Sequence, residues 1–328
     1  MLMAQINRRK FIQNFSLAAL PLLGSWRVPA DVLKFTLGFW QAPVLQRLFD
    51  KLLMPNVSLD VLEREGKVGL FTNGVVIGGK VEDRAATAMT YLKKRPLLLP
   101  VPLATNVDDL QNMQSTAQKE ENKLGVISHF HLLQSASKVK EIIRHDLMGE
   151  IKQIDLLVND SDPDDMVTAG ADGLLGWYFH PLYLTTLFLK SNPVSLQARK
   201  YDGQKAFTNI YFDFENGTKV NLSVKDDLSR EHWVINIRGE KATCRLDGNH
   251  KISFKDQNGK TNLFSFDSND YKFTLEATVL NFVKAVQDEL EIEHANELSF
   301  LSVAWHQALA QSLTNEARVS IPKMVSEE

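Results

Sequence analysis

Residues Leu97–Ala104 read LLLPVPLA, a short apolar run interrupted and closed by prolines. The three leucines predict a buried strand, and Pro100 and Pro102 end it, because proline donates no hydrogen bond to a strand ladder. Asn106 follows as a favourable N-cap for a helix over Val107–Glu120. This junction of strand and helix is the point from which the rest of the fold is predicted.

Before this junction the chain alternates between strand and helix signals. Val32–Phe39 and Lys67–Val76 favour strands, and Pro43–Leu53 and Val81–Lys94 favour helices, whereas Val57–Arg64 fits either. Such alternation is typical of a parallel sheet with helical crossovers. We therefore predict a shortened Rossmann-like domain over residues 31–122.

After residue 123 the pattern changes to short segments of alternating polarity. The predicted strands are Ile151–Val158, Ser195–Lys200, Phe207–Glu215, Thr218–Val224, Trp233–Arg238, Ala242–Asp247, Lys251–Lys255 and Asn262–Phe266. Asn216-Gly217 and Asn258-Gly259 are strong hairpin signals, and helices are predicted at Phe273–Glu289 and Asn296–Thr314. Residues 123–328 thus form an open, mainly antiparallel sheet with packed helices, which gives an α/β plus α+β fold class.

Residues 1–30 have the three parts of an export signal. A basic stretch containing Arg8 and Arg9 precedes the apolar run Phe15–Leu23, and small residues lead to Ala30. Asn7–Ile12 resembles a twin-arginine box. We expect a periplasmic or otherwise exported protein, cleaved near Ala30; the alternative is an ordinary amphipathic helix. The apolar run is too short for a bilayer of ~30 Å, so no membrane span is expected in the mature protein.

Composition excludes several other classes of protein. The formal net charge of −3 gives no footprint for a nucleic-acid partner. Cys244 is the only cysteine, which excludes an intrachain disulfide and a cysteine-based zinc site.

Several segments together resemble the Gfo/Idh/MocA oxidoreductases. Leu97–Ala104 is similar to that family's strand ending in Glu-Lys-Pro, and Ala136–Ile151 to its helix–glycine–strand joint. Gly173–Pro181 resembles its Leu-Leu-Asp-x-x-x-His helix start, and Arg318–Pro322 its closing strand. The resemblance implies a dinucleotide-binding domain followed by a sheet domain that supplies the substrate pocket.

The same alignment shows losses at the catalytic positions. Val101 stands where the family's lysine handles the substrate proton, and Pro100 replaces the preceding acid. Gly176 replaces the aspartate, so that His180 is the one catalytic candidate retained. An imidazole can still serve as a general base, which leaves open whether the protein is an enzyme.

The cofactor loop also departs from the pattern that dinucleotides require. The first strand leads into Gly38-Phe39-Trp40-Gln41, whereas a Gly-x-Gly-x-x-Gly turn lets the backbone touch a pyrophosphate. The domain is also short, and we expect the missing part to be the strand whose acidic end binds the adenosine ribose. No cofactor is therefore predicted; the alternative is NAD or NADP.

A pocket for a carbohydrate-like ligand is predicted around His180, because aromatic faces beside a hydrogen-bonding histidine suit a sugar. Its residues are Val101, Pro102, His131, Trp177, Tyr178, His180 and Tyr183. The alternative is a histidine buried in an aromatic core. His129 and His131 are predicted to share one face of a strand, but without a third ligand they do not predict a metal site.

Self-association is expected through the C-terminal sheet. Tyr211, Phe212 and Phe214 suggest that both faces of one strand are partly apolar, which predicts a homo-oligomer. The leading hypothesis is a protein without classical NAD(P) catalysis that binds a carbohydrate-like ligand or a partner protein. The alternatives are an active NAD(P)-dependent sugar oxidoreductase, an NAD-dependent glycoside hydrolase and a structural assembly module.

Overall fold

A computed structural model describes residues 34–52, 54, 56–160, 173–201, 207–226, 232–248, 251–267, 270–292 and 295–323. The export signal predicted for residues 1–30 lies outside this range. The side chains of Trp177 and Tyr178 also lie outside it, although their backbone belongs to a helix. In the described part of the chain, every helix is too short or too polar to cross a membrane.

The first unit is a sheet of five parallel strands in the order β2-β1-β3-β4-β5. The strands are β1 (Phe35–Trp40), β2 (Val57–Val61), β3 (Gly74–Ile77), β4 (Leu97–Pro100) and β5 (Leu124–Ile127). The helices are α1 (Pro43–Phe49), α2 (Val81–Leu92) and α3 (Val107–Lys119). In β4, Leu97 and Leu99 enter one core and Leu98 the other, because a parallel sheet is buried on both faces.

The strand predictions hold with three corrections. Residues 57–61 form a strand, which resolves the ambiguity over Val57–Arg64. The strand expected at Lys67–Val76 begins only at Gly74, and Leu70 and Phe71 lie in a loop with 91% and 85% of their surface exposed. Strand β1 continues to Trp40, so Phe39 is not in a loop: its ring packs edge-on against Phe49.

The predicted loss of the ribose-binding strand is wrong. In a doubly wound sheet of order 3-2-1-4-5-6, the second strand lies beside the first, and β2 occupies that place parallel to β1. It carries an exposed acid, Asp60, one residue before its end. Among the described residues, the strand of the order 3-2-1-4-5-6 that has no counterpart is the third one. A loop of residues 62–73 connects β2 directly to β3 instead.

The second unit is a sheet of nine strands in the order β13-β12-β11-β10-β6-β9-β8-β7-β14. The strands are β6 (Ile151–Asp160), β7 (Pro193–Tyr201), β8 (Phe207–Phe214), β9 (Lys219–Asp226), β10 (His232–Gly239), β11 (Ala242–Asp247), β12 (Lys251–Asp256), β13 (Thr261–Ser265) and β14 (Val319–Ser320). Only the β6–β9 pairing is parallel. Gly217 and Gly259 have φ values of 81° and 79°, which confirms the two predicted hairpin turns.

The helices of the second half serve both sheets. They are α4 (Gln134–Arg144), α5 (Gly173–Leu189), α6 (Asp270–Gln287) and α7 (Ala295–Asn315). Helix α5 packs against β6, and α7 against β7. Helix α6 returns to the first sheet, where Phe282 meets Phe35 edge-on at 6.4 Å. Because β5 is also part of that sheet, the predicted boundary at residue 122 comes too early.

The open face of the large sheet is more polar than expected. Along β8, Ile210, Phe212 and Phe214 are buried, and Tyr211 points to the other side, where 39% of its surface is exposed. The strand therefore alternates between a buried apolar face and a more polar one, and the expectation that both faces are partly apolar depends on Tyr211 alone. The homo-oligomer itself stays a prediction.

Candidate functional site

The turn between β1 and α1 replaces the phosphate-binding loop of a dinucleotide domain. It consists of Gln41 and Ala42, and Gln41 has a positive φ of 49°. Helix α1 begins with Pro43 and has no side-chain cap. Since proline has no N–H, this helix end presents one backbone donor fewer to an anion than an ordinary helix.

The loop after β3 packs against this turn. The amide of Gly78 donates to the carbonyl oxygen of Trp40 at 2.9 Å. A Cβ at Gly78 would lie 2.4 Å from the Gln41 carbonyl oxygen, and one at Gly79 would lie 2.6 Å from Gln41 Oε1. The absence of side chains at Gly78 and Gly79 therefore leaves the space that Gln41 fills. This is the switch point between β1 and β3, where a doubly wound sheet holds its nucleotide.

Arg84 holds the carboxyl edge of the sheet together. Its guanidinium is 1% exposed and donates to the carbonyl oxygens of Gly79 at 2.9 Å, Pro100 at 3.2 Å and Pro102. Burial lowers its pKa to about 10, so the group remains cationic at neutral pH. The loops after β3 and β4 are thus fixed by one buried cation.

Arg84 was not among the predicted site residues, although the sequence contains a signal for it. It lies on the apolar stripe of α2 with Val81, Ala85 and Ala88. A charged residue at that spacing has to be buried with its own hydrogen-bond partners.

Val101 and Pro102 are buried at the end of β4 and are joined by a cis peptide bond. Val101 is part of the same hydrophobic core as Leu97 and Leu99. A buried isopropyl group can neither take nor give a proton. This position therefore supplies no acid or base to the edge of the sheet.

A second group of polar residues surrounds the end of β5. The prediction that His129 and His131 share a strand is wrong. Strand β5 ends at Ile127, and Phe130–Leu132 form a 3₁₀ turn. The His129 ring is buried, with its centroid 4.4 Å from Tyr271 and 5.4 Å from His180. Neither ring nitrogen of His129 has a hydrogen-bond partner among the described residues.

His180 lies in this group, on α5. It is 6% exposed, its ring stacks on Phe130 at 4.9 Å, and Nδ1 lies 3.5 Å from Ser128 Oγ. Burial lowers the pKa of His180 to about 3. The pKa of His129 is also lowered, by burial first and then by the nearby His180 and His131. Because a general base works best when its pKa is near the operating pH, His180 is poorly suited to proton abstraction.

The contacts of the predicted pocket residues form two sets, at the ends of the neighbouring strands β4 and β5, where Pro100 pairs with Ile127. His131 and Tyr183 lie near each other, with ring centroids 6.2 Å apart, and Tyr183 stacks on Phe179 at 5.7 Å beside His180. Burial raises the pKa of Tyr183. Val101 and Pro102 lie at β4, next to Arg84.

Helix α6 contributes Tyr271 to the histidine group and Asp270 beside it, and neither had a recognisable signal in the sequence. Asp270 is buried and accepts a hydrogen bond from the amide of Gln134 at 2.8 Å. Burial raises its pKa to about 6. Asp270 reaches Gln134 only because α6 returns to the first sheet, and the polarity pattern of neighbouring residues does not predict that return. Within the described ranges, no three His, Cys, Asp or Glu side chains are arranged to hold a metal ion.

Comparisons with known proteins define the fold. No family model and no curated protein matches the sequence. GenD2 from gentamicin A biosynthesis, solved with NAD, superposes with a TM-score of 0.71 at 14% identity, over 89% of this chain and 97% of that chain. An inositol dehydrogenase homolog from Azotobacter vinelandii, solved with NAD+, gives 0.70 at 12%, over 88% and 97%. Levoglucosan dehydrogenase with NADH and L-sorbose gives 0.69 at 10%, over 89% and 100%.

The chain has the fold of the Gfo/Idh/MocA-type oxidoreductases. At these identities the likeness concerns the fold, and the function has to be argued from this chain's own residues. The residues at the switch point do not fit a dinucleotide. Gln41 and Ala42 pack directly on Gly78 and Gly79, and the adjoining helix begins with a proline.

Proposed function

We propose that this protein is an exported, non-catalytic relative of the Gfo/Idh/MocA oxidoreductases that binds a carbohydrate-like ligand or a partner protein around His180. The observation that carries the proposal is the close packing of the turns after β1 and β3, where Gln41 lies directly against Gly78 and Gly79. Hydride transfer needs a bound dinucleotide. The turn Gln41-Ala42 lacks the glycines through which a backbone approaches a pyrophosphate, which supports the loss of this chemistry.

The chemistry of the remaining site agrees with binding more than with catalysis. Val101 has no proton to exchange, and the His180 imidazole is neutral at physiological pH because burial lowers its pKa. A neutral imidazole still offers one donor and one acceptor. Among the structures of this fold, one holds L-sorbose and another holds myo-inositol, which makes a polyol the first ligand class to test.

Titration of the mature protein with NADH and NADPH, followed by calorimetry, tests the loss of cofactor binding. We expect no saturable heat with either nucleotide. A ligand screen with sugars and polyols, read out by thermal shift, tests the binding role. A Tm that rises with one sugar in wild type and not in His180→Gln would support it.

The rival is a working enzyme, either a sugar oxidoreductase or an NAD-dependent glycoside hydrolase. One observation favours it: β2 is present and carries the exposed Asp60 near its end, where such folds hold the adenosine ribose. Detection of nicotinamide in supernatant from the denatured, natively purified protein would decide for this rival.

The periplasmic destination is the second part of the proposal and rests on residues 1–30. Replacement of both Arg8 and Arg9 by lysine should abolish export if the signal uses the twin-arginine route. Cell fractionation measures this, and a precursor that is still processed and exported would indicate general secretion instead. A chain that stays in the cytoplasm with its arginines intact would contradict export.

A further inference from the structure

The open face of the nine-stranded sheet contains a hollow that the proposed function does not use. Its volume is about 430 Å³, and strands β6 and β10–β13 line it. This size falls within the range of small-molecule sites, roughly 300–1,000 Å³. The hollow lies on the solvent side of the sheet, and the histidine group lies near α5 and the end of β5.

Strand register explains which side chains meet in the hollow. Arg238 is paired with Thr243, and Thr243 with Lys255. One step along the same face, Arg245 is paired with Asn236 and Ser253. Arg245 is thus the diagonal neighbour of both Arg238 and Lys255, at about 7–8 Å. Three cations surround two hydroxyl groups.

Within the described part of the chain, no ion pair compensates the charge of this group. Arg238, Arg245 and Lys255 have no carboxylate partner at ion-pair distance there. Some cations elsewhere on the sheet are paired, as Lys219 and Arg318 are with Asp213.

The lining also contains one acid, Asp155, and one amide that contacts a cation. Both carboxylate oxygens of Asp155 accept from Gln153 Nε2 at 2.8 Å. Arg245 Nη1 donates to Asn236 Oδ1 at 3.4 Å, a long contact that leaves most of its donors available. Counting Arg238, Arg245 and Lys255 against Asp155 leaves a net charge of +2 in a protein whose formal net charge is −3.

We propose that this hollow is a binding site for a small polyanion that carries at least two phosphate, sulfate or carboxylate groups. Arg238, Arg245 and Lys255 bind the anionic groups, since a guanidinium pairs with such oxygens through two donors. The hydroxyls of Thr243 and Ser253 bind the polar body between them. The spacing of the cations requires the two charges to be separated, which disfavours a single inorganic phosphate.

Calorimetry at low ionic strength tests this site with fructose 1,6-bisphosphate and citrate as separate probes and fructose as the uncharged control. We expect saturable binding of at least one anion, no binding of fructose, and affinity that falls as salt is added. Binding of the bisphosphate alone identifies phosphate as the recognised group, and binding of citrate alone identifies carboxylate; either supports the site.

The test variant is the double substitution Arg238→Ser/Arg245→Ser. Its matched control is Arg199→Ser, which removes an exposed arginine from β7, on the far side of the sheet. We expect at least a tenfold loss of affinity in the first and no change in the second, with circular dichroism confirming that both fold. The proposal is overturned if neither anion binds at millimolar concentration, if fructose binds equally well, or if Arg199→Ser weakens binding as much. It is also overturned if the anions do not bind and light scattering shows that the paired variant alters oligomer size.

Discussion

At the scale of single residues, the buried histidines should make stability depend on pH. The folded pKa of His180 is about 3, below the unfolded value of 6.5, so the unfolded chain binds the extra proton between these values. Stability is therefore full above about pH 6.5 and falls as the pH drops towards 3. At pH 5 the loss from this residue is about 2 kcal/mol.

We predict that His180→Gln flattens the stability profile between pH 7 and pH 5 by about that amount, since glutamine does not titrate. Urea unfolding at each pH measures it. Exposed His145→Gln is the control and should leave the profile unchanged. A His180→Gln profile as steep as that of wild type would show that the imidazole is not held neutral by burial.

Asp270 has the opposite effect and offers a second test. Its folded pKa is raised from 3.8 to about 6, so the folded state binds the extra proton in that window and gains stability as the pH falls. Asp270→Asn should steepen the loss between pH 7 and pH 5 by about 1 kcal/mol. Urea unfolding again provides the measurement, and a flatter profile would contradict the assignment.

Arg84 is the residue on which the edge of the first sheet depends. Replacing it with methionine keeps much of the volume but leaves the carbonyl oxygens of Gly79, Pro100 and Pro102 without their donor. We predict a loss of about 2–4 kcal/mol in the free energy of unfolding. Exposed Arg144→Met should cost less than about 0.5 kcal/mol; equal costs would mean that the buried hydrogen bonds contribute nothing.

At the scale of elements, the closed turn between β1 and α1 predicts that Gly78 tolerates no side chain. A Cβ there would lie 2.4 Å from a backbone oxygen, so Gly78→Ala should cost about 2–3 kcal/mol through forced displacement of the turn. Chemical denaturation compares it with Gly259→Ala, where nothing lies within 4 Å and only the positive φ is penalised. If Gly78→Ala is the milder of the two, the turn is open.

Helix α6 should be essential to the first sheet although it lies in the second half of the chain. Phe282 is buried in the core with Phe35, Leu98 and Ile127. Phe282→Ala should destabilise the protein by about 3–5 kcal/mol in urea unfolding, whereas half-exposed Leu290→Ala should cost less than about 1 kcal/mol. A small loss at Phe282 would mean that α6 is not part of this core.

At the scale of the whole molecule, local pattern predicted most of the fold. Strand β4 and the two hairpin turns depend on residues that are adjacent in the sequence: three leucines in the strand and one glycine in each turn. These elements lie where they were predicted. Leu70 and Phe71 were misread because an apolar pair in an exposed loop has the composition of a strand. The return of α6 to the first sheet is a long-range contact, and periodicity carries no information about it.

The candidate site was predictable only in part, for the same reason. Substitution at Val101 and Gly176 could be read from the sequence, whereas the contact of Gln41 with Gly78 and Gly79 joins two separate loops. The proposed homo-oligomer also belongs to this scale. Light scattering would test it, and Tyr211 is the exposed aromatic residue on which self-association through β8 would now depend.

The most direct test of the closed switch point is calorimetric titration of the purified mature protein with NADH. We predict no saturable binding up to millimolar nucleotide, and the same result in Val101→Lys, which restores the amine without opening the turn. Stoichiometric binding with a micromolar Kd in the wild-type protein would contradict it.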